Sequence, residues 1–262
     1  MNLEGKVVVV TGAGSGIGEA IAHRFAGERA IVVVAEVSET SGAAVEDLLT
    51  SQGSTAVFTQ TDVSSVESVQ NLIRSTVERL GRLDTIVNNA GVNFVKPLLE
   101  TSIDDWEHVI GVDLRGTFLG CKYAIEQFLK QGGGGNIVNI SSVHSMGTLP
   151  NASPYAAAKG GVTQMTKSLA IEFCREKIRV NAVCPGLTDT QIWKDLKASG
   201  PDSATVVDHW MSNIALGREA DPREIANMVV WLASDEASYV TGANLFVDGG
   251  MTAMLTNRER GD

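Results

Sequence analysis

The chain has 262 residues, of which 27 are glycine and 44% are hydrophobic, a composition that excludes wholesale disorder and suits an ordinary globular core. Its 31 acidic and 21 basic side chains give a formal net charge of −10, which argues against a broad basic face for nucleic acid or an anionic membrane surface. The length is compatible with one or two domains, and we expect a single domain over residues 1–262 that needs no disulfide or metal to hold its core.

Seven short apolar runs rich in β-branched residues recur along the chain, and they do not alternate with polar residues. Such runs are typical of strands with both faces buried in a parallel sheet. They cover residues 6–10, 31–35, 56–59, 85–88, 136–140, 179–183 and 244–247. Stretches with the apolar spacing of a helix lie between them. These cover residues 16–28, 39–52, 65–80, 102–130, 155–175 and 223–234.

This alternation predicts an α/β fold: one doubly wound, Rossmann-like domain with a seven-stranded parallel sheet flanked by helices. In such sheets, ligands bind beyond the carboxyl ends of the strands. The N-terminal residues carry no basic stretch, and the apolar run at 7–10 is too short for a signal peptide or a membrane span. Three widely spaced cysteines suit a reducing compartment. We therefore expect a cytoplasmic protein with no membrane or nucleic-acid partner.

A glycine-rich turn at residues 11–18 follows the first predicted strand and leads into the first predicted helix. Its glycines leave room for a tight turn and for close approach of the backbone to a diphosphate. The helix N-terminus then presents free N–H groups and a partial positive charge to the phosphates. The turn predicts a dinucleotide site, with contacts at Gly12, Ser15, Gly16, Ile17 and Gly18.

The second predicted strand leads to Glu36, which lies 18 residues past Gly18. An acidic side chain at this distance usually accepts hydrogen bonds from the adenosine ribose hydroxyls, and it repels a 2′-phosphate. No Arg or Lys follows immediately. We therefore expect NAD rather than NADP as the cofactor, with Glu36 and Val37 beside the ribose. The alternative is that Glu36 only caps a solvated loop.

A tyrosine and a lysine stand four residues apart in the fifth predicted helix, as Tyr155 and Lys159, and therefore share a helix face. A phenol needs a neighbouring positive charge to act as a base near neutral pH, and the Lys159 ammonium supplies one. Ser142 follows the fifth predicted strand, at the end where ligands bind. Together with the glycine turn, these residues predict a catalytic site rather than a solvated helix face.

On these motifs the chain resembles the short-chain dehydrogenases/reductases, in their core-length form, over residues 6–252. The resemblance rests on the Thr-Gly-x-x-x-Gly-x-Gly turn, the Asn-Asn-Ala-Gly stretch at 88–91 and the set of Ser142, Tyr155 and Lys159. The Pro-Gly at 185–186, the Tyr-Val-Thr-Gly at 239–242 and the Val-Asp-Gly-Gly at 247–250 also match the family's motifs.

The resemblance implies reversible hydride transfer between C4 of the nicotinamide and a secondary alcohol or ketone. In that role Tyr155 exchanges the proton, Ser142 orients the substrate oxygen, and Lys159 binds the nicotinamide ribose. The remaining implied cofactor contacts are Asp62 and Val63 at the adenine, Asn89, Ala90 and Gly91 along the ribose, and Pro185, Gly186, Thr188 and Thr190 at the nicotinamide. Asn88 is expected to hold the central sheet together instead. A homotetramer is also implied, assembled through the fourth and fifth predicted helices and the C-terminal strand region.

The chain departs from the family at Asp113, where a fourth member of the catalytic set is normally Asn. In the family this residue supports a water that links the lysine to bulk solvent, largely through the main chain, so Asp113 can keep the relay. A carboxylate cannot donate a hydrogen bond as an amide does, and it adds a negative charge near Lys159. We still expect an active enzyme, and a shifted pH profile is the hypothesis for this position.

The substrate pocket is the least defined part of the sequence. A lid is expected at about 188–216, containing Trp193, Leu196, Trp210 and Met211. Besides Ser142 and Tyr155, the candidate substrate contacts are Asn93, His144, Asn151 and Trp193, although a lid tryptophan is more often a packing residue than a substrate contact. The mixture suggests a small or medium secondary alcohol or ketone, and it does not separate a sugar, a hydroxy acid, a steroid or an acyl thioester.

Three alternatives compete with an NAD-dependent alcohol dehydrogenase. An NADP-linked 3-oxoacyl carrier-protein reductase would share the fold, and Glu36 argues against it. A non-catalytic NAD-binding regulatory protein finds its only support in Asp113. A zinc alcohol dehydrogenase requires a Cys/His ligand cluster that the sequence lacks, so we expect no metal site.

Overall fold

This computed structural model describes residues 1, 3–191, 193–194 and 203–254 of the chain, with residues 203–206 described by backbone alone. Seven strands within these ranges form one parallel β-sheet. The strands are β1 (Val7–Thr11), β2 (Ile31–Glu36), β3 (Ala56–Gln60), β4 (Thr85–Asn88), β5 (Gly135–Ile140), β6 (Ile178–Pro185) and β7 (Asn244–Val247). They lie in the order β3-β2-β1-β4-β5-β6-β7, and every neighbouring pair is parallel. The predicted doubly wound α/β fold is confirmed.

Helices cover both faces of this sheet. They are α1 (Gly16–Gly27), α2 (Glu39–Ser51), α3 (Val66–Leu80), α4 (Ile103–Val109), α5 (Thr117–Gln131), α6 (Ser153–Phe173), α7 (Ser203–Ser212) and α8 (Pro222–Ala233). On one face, Val8 and Val10 of β1 belong to a cluster with buried side chains of α1 and α8. On the other face, Val7 and Val9 join side chains of α3, α5 and α6. Since neither face meets water, the strands show no polar alternation.

Local signals set several helix ends. The Ser65 side chain accepts a hydrogen bond from the Ser68 N–H at the start of α3, and Gly81, with a φ of +81°, ends that helix in the left-handed region. Asp221 and Glu224 form a reciprocal capping box at the start of α8. These signals explain why the predicted helix ends lie close to the observed ones.

The predicted continuous helix at 102–130 is wrong in its middle. Between α4 and α5 the chain forms a π-helical segment, Ile110–Gly116. A π turn accommodates an extra residue, and the apolar spacing on either side does not reveal it. The segment places Asp113 inside the protein, where its Oδ1 accepts a hydrogen bond from the Val92 N–H at 2.8 Å. The Thr117 hydroxyl donates to the Asp113 carbonyl at 2.9 Å.

Asn88 occupies the position that the sequence predicts for it, within the sheet. Its Nδ2 donates to Asn139 Oδ1 on the neighbouring strand at 2.9 Å, and Asn139 Nδ2 donates to Thr166 Oγ1 at 2.9 Å. Gly120 of α5 packs against this amide so closely that a Cβ there would lie 2.0 Å from Asn88 Oδ1. This buried polar network joins β4, β5, α5 and α6 behind the site.

The predicted lid at 188–216 contains α7 and is only partly described. Trp193, Trp210 and Met211 lie within the described residues, and Leu196 lies outside them. In the described ranges, no helix combines the length and the apolar character that crossing a membrane requires.

Candidate active site

The glycine turn after β1 forms a cradle whose shape depends on missing side chains. Gly12 has a φ of +63°, and a Cβ at this position would lie 2.8 Å from the Ala90 Cα. At Gly18, in the first turn of α1, a Cβ would lie 2.0 Å from the Gly12 carbonyl oxygen. The backbone at the N-terminus of α1 is therefore packed tightly against the turn, with its partial positive charge directed at the opening. This arrangement fits a dinucleotide diphosphate.

A hydrogen-bond network ties the glycine turn to the loop that follows β4. The Thr11 Oγ1 accepts from the N–H groups of Asn89 and Ala90 at 3.0 and 3.1 Å. The Asn89 Nδ2 donates to the carbonyls of Thr11 and Gly12 at 3.0 and 3.1 Å. The Asn89 side chain and the backbone N–H groups of Asn89 and Ala90 therefore fix the shape of the cradle, and contact of this loop with a ribose stays a prediction.

Glu36, at the end of β2, is held beside the mouth of the same turn. Its Oε2 accepts from the Gly14 N–H at 3.0 Å, and its Oε1 accepts from the N–H groups of Val37 and Ser38 at 2.9 and 3.2 Å. The Glu36 carboxylate thus caps its own loop and also contacts the glycine turn, and its contact with a ribose stays a prediction. Val37 beside it is exposed.

The predicted adenine contacts lie after β3. Asp62 is exposed, and its Oδ1 accepts from the N–H and the hydroxyl of Ser64 at 2.9 and 2.7 Å. Val63 packs against Gly116 of the π segment, where a Cβ would lie 2.9 Å from Val63 Cγ2. These contacts hold the two residues in place at the carboxyl edge of the sheet.

The predicted nicotinamide contacts follow β6. Pro185 ends that strand, and Gly186 approaches β7 so closely that a Cβ there would lie 2.7 Å from the Asp248 Cα. The Thr188 hydroxyl donates to the Gly186 carbonyl at 3.1 Å. The Thr190 side chain reaches the phosphate cradle, since its Cγ2 would lie 3.4 Å from a Cβ at Gly16. The loop after β6 therefore extends from the predicted nicotinamide contacts to the glycine cradle.

Tyr155 and Lys159 share one face of α6, as their spacing predicts. The Lys159 Nζ lies 5.4 Å from the centroid of the Tyr155 ring. It donates to the Ile140 carbonyl at 3.3 Å and forms an ion pair of 3.1 Å with the Asp113 Oδ2. Burial by itself lowers the pKa of Lys159, but the negative charge of Asp113, with further contributions from Tyr155 and Cys184, outweighs it and raises that pKa above its usual range. The ammonium therefore stays charged beside the phenol.

Ser142 lies two residues past the end of β5 and is buried. Its Oγ accepts a hydrogen bond from the His144 N–H at 3.3 Å, so the hydroxyl hydrogen is not used in that bond. The neighbouring Ser141 hydroxyl donates to the Lys159 carbonyl at 2.9 Å and fastens α6 to the end of β5. The fold thus brings the serine loop and the Tyr-x-x-x-Lys helix to the same edge of the sheet.

His144 forms an aromatic wall with Tyr155 and Trp210. Its ring centroid lies 5.3 Å from that of Tyr155 at an interplanar angle of 81°, and 6.1 Å from that of Trp210. Its Nδ1 shares a hydrogen bond of 2.8 Å with the Thr148 hydroxyl, and burial lowers its pKa, so the ring is neutral at neutral pH. Trp210 was not among the predicted substrate contacts. The sequence indicates it only as a tryptophan that lies within the predicted lid.

The other candidate substrate residues occupy different surroundings. Trp193 is buried and its indole N–H donates to Glu219 Oε1 at 3.2 Å, which favours the packing interpretation. Asn93 and Asn151 are exposed. The Asn151 carbonyl accepts from the Lys96 N–H at 2.8 Å, which joins the loop after β4 to the loop before α6. Contact of these three residues with a substrate stays a prediction.

Comparisons with known proteins point to one family over nearly the whole chain. A family model described as enoyl-(acyl carrier protein) reductase matches residues 12–252. Glucose 1-dehydrogenase 2 of Bacillus subtilis is 42% identical over 253 residues, covering 96% of this chain and 96% of that protein. Meso-2,3-butanediol dehydrogenase of Serratia marcescens is 42% identical over 253 residues, covering 97% of each. A crystal structure from Sinorhizobium meliloti, described as a candidate short-chain alcohol dehydrogenase, matches with a TM-score of 0.91 and 33% identity, covering 97% of this chain and 99% of that one.

Proposed function

Because the chain belongs to the short-chain dehydrogenase/reductase family and is an oxidoreductase of alcohols or ketones that uses a nicotinamide cofactor, we propose that the cofactor is NAD and that Ser142, Tyr155 and Lys159 form its catalytic set. The observation that carries the proposal is the charged Lys159 Nζ held 5.4 Å from the Tyr155 ring, at the same sheet edge as the glycine cradle.

In the proposed reaction the bound cofactor supplies the hydride chemistry, and the protein orients the substrate and moves the proton. During oxidation the Tyr155 oxygen takes the proton of the substrate hydroxyl as a general base, and it returns a proton during reduction. The Lys159 ammonium favours the phenolate form. Ser142 donates its hydroxyl hydrogen to the substrate oxygen and stabilises the charge that develops there.

The cofactor is proposed to lie along the carboxyl edge of the sheet. The cradle of Gly12, Ser15, Gly16, Ile17 and Gly18 would hold the diphosphate, with Glu36 and Val37 at the adenosine ribose. The other proposed contacts are Asp62, Val63, Asn89, Ala90, Gly91, Tyr155, Lys159, Pro185, Gly186, Thr188 and Thr190. Within this arrangement a single domain would carry both the cofactor site and the catalytic set.

The substrate is proposed to be a small or medium secondary alcohol or ketone that lies against the wall of His144 and Trp210. The neutral imidazole and the indole offer one polar and one apolar surface beside the Tyr155 ring. A panel of secondary alcohols, including vicinal diols and sugars, tests the function through the absorbance of NADH. We expect turnover with at least one member. Absence of turnover with either nicotinamide cofactor across the panel would contradict the proposal.

The cofactor preference is expected to depend on Glu36. With NAD, kcat/KM should be about tenfold or more higher than with NADP, because the fixed carboxylate repels a 2′-phosphate. The Glu36→Gln variant should narrow this ratio, whereas Glu39→Gln, at the exposed start of α2, should leave it unchanged. The measurement is steady-state kinetics with both cofactors. A preference of the unmodified protein for NADP would overturn the assignment and favour the 3-oxoacyl carrier-protein reductase alternative.

We propose a homotetramer on the basis of apolar side chains that remain exposed on α4, α5 and α6, and we retain the cytoplasmic location expected from the sequence. Ile103, Phe118 and Ile171 are 76%, 46% and 78% exposed, and contact between copies of the chain would bury this apolar surface. Light scattering should give about four times the chain mass of 27.7 kDa. Ile171→Asp should lower that mass, and Leu48→Asp on the exposed side of α2 should not. A monomer mass for the unmodified protein would refute the assembly.

A further inference from the structure

The carboxylate of Asp113 lies between a backbone N–H at one oxygen and the Lys159 ammonium at the other. Oδ1 accepts from the Val92 N–H at 2.8 Å, and Oδ2 lies 3.1 Å from the Lys159 ammonium, with both charged side chains buried. Gly91 lies beside the pair on the loop after β4, since a Cβ there would lie 3.3 Å from the Asp113 Oδ2 and from the Lys159 Nζ. A side chain at this position would therefore touch the ion pair.

A carboxylate suits these surroundings better than an amide does. An amide has one acceptor oxygen and one NH₂ group, so an Asn that accepts from the Val92 N–H would turn its NH₂ toward the Lys159 ammonium. Two donors would then face each other in a buried position, which is costly. The described contacts of Asp113 thus fit a side chain with two acceptor oxygens better than an amide.

The charges around Lys159 come from several elements. Asp113 reaches it from the π segment, Tyr155 from the same helix and Cys184 from β6, where burial raises the pKa of the thiol. The His144 ring contacts the Tyr155 ring edge-to-face at a centroid distance of 5.3 Å. With Asp113 ionised, the positive charge of Lys159 already has a buried counter-ion, so the phenolate of Tyr155 gains less from that charge.

We propose that Asp113 is a positioning residue that acts as the counter-ion of Lys159 and thereby moves alcohol oxidation to higher pH than an uncharged side chain at this position would. The inference rests on the proposed function, in which Tyr155 takes the proton of the substrate. Oxidation requires the phenolate, so its rate falls as the pH decreases and the phenol becomes protonated. Removing the negative charge of Asp113 favours the phenolate and extends oxidation to lower pH. Reduction requires the phenol and should lose activity in the same range.

The test is the pH dependence of the Asp113→Asn variant. We expect the pH of half-maximal kcat/KM for oxidation to fall by about one unit. The KM for the alcohol should change little, because the contacts described for the Asp113 side chain are with Val92 and Lys159 and not with His144 or Trp210. Asp84→Asn is the matched control: Asp84 is also buried, accepts from the Val7 N–H at 2.9 Å and pairs with Arg82, but it lies at the opposite edge of the sheet. This control should leave the profile unchanged.

A second readout needs no turnover. The chain has three tyrosines, and the difference in phenolate absorbance between each protein and its Tyr155→Phe counterpart isolates the ionisation of Tyr155. When Asp113→Asn is introduced into both members of this pair, the phenolate signal should appear at lower pH than in the pair that retains Asp113. If no alcohol is oxidised by the unmodified protein, the proposed function fails, and this titration still decides the role of Asp113.

The inference is overturned if both readouts are unchanged in Asp113→Asn or move to higher pH. It is also overturned if Asp84→Asn shifts them equally, since the effect would then come from net charge alone. Circular dichroism establishes that each variant is folded. Should Asp113→Asn fail to fold, Asp113→Ser removes the same charge with a smaller side chain, and the same downward shift is expected of it.

Discussion

Replacing Tyr155 by phenylalanine is expected to reduce turnover by about a thousandfold to ten-thousandfold, because the variant keeps the ring but loses the only group proposed to exchange a proton with the substrate. The ring contacts with His144 and Lys159 do not need the hydroxyl. NAD affinity, measured by titration calorimetry, should therefore remain close to that of the unmodified protein. The loss should appear in kcat rather than in cofactor binding.

A matched variant separates this effect from a general effect of removing a hydroxyl. Tyr239 is fully exposed before β7, and Tyr239→Phe should retain full turnover. Substantial turnover by Tyr155→Phe, at even a tenth of the normal rate, would show that another group moves the proton. The proposed catalytic assignment would then be wrong, although membership of the family would not be affected.

The second large effect is expected from Gly18→Ala. The new Cβ would lie 2.0 Å from the Gly12 carbonyl oxygen and 2.5 Å from the Asn89 Nδ2, so the turn and the start of α1 have to move apart. Overpacking of this kind costs about 1–3 kcal/mol. If the displaced turn holds the diphosphate less well by that amount, the Kd for NAD increases about ten- to hundredfold. Calorimetric titration with NAD measures the change in Kd. Urea unfolding measures the loss of stability.

The control for this change lies in the same helix. A Cβ at Gly27, the last residue of α1, meets nothing within 4 Å, so Gly27→Ala should bind NAD normally and unfold at the same or a slightly higher urea concentration. Normal NAD affinity in Gly18→Ala would show that the turn does not hold the cofactor as proposed. An equal loss in both variants would point to helix stability instead of the cradle.

Local patterns in the sequence account for most of the fold. Strand β1 is recognisable because Val7, Val8, Val9 and Val10 are all buried, two on each face of the sheet. The positive φ at Gly12 and the shared helix face of Tyr155 and Lys159 are equally local, since they depend on residues within one turn. Such features follow from backbone geometry and side-chain spacing, which the order of residues specifies directly.

The surroundings of each predicted site residue depend on contacts between distant segments. The hydrogen bonds from Asn89 to Thr11 and Gly12 join positions more than seventy residues apart. Trp210 reaches His144 from the lid region, and Trp193, from the same region, turns inward to Glu219. The sequence alone predicts the same role for both tryptophans, because it places both in one lid. It does not contain the side-chain packing that distinguishes the buried tryptophan from the one beside His144.

By itself the sequence determined the parallel α/β fold, the glycine-rich turn after β1 and the spacing of the proposed catalytic set, because these depend on short-range periodicity and on residues that tolerate unusual backbone angles. Only the tertiary structure decided that the helix at 102–130 contains a π segment and that this segment directs Asp113 against Lys159. The physical reason is that a buried ion pair forms between elements that meet only after the chain has folded. Its consequence for the chemistry depends on the distance between the two charges and on their burial.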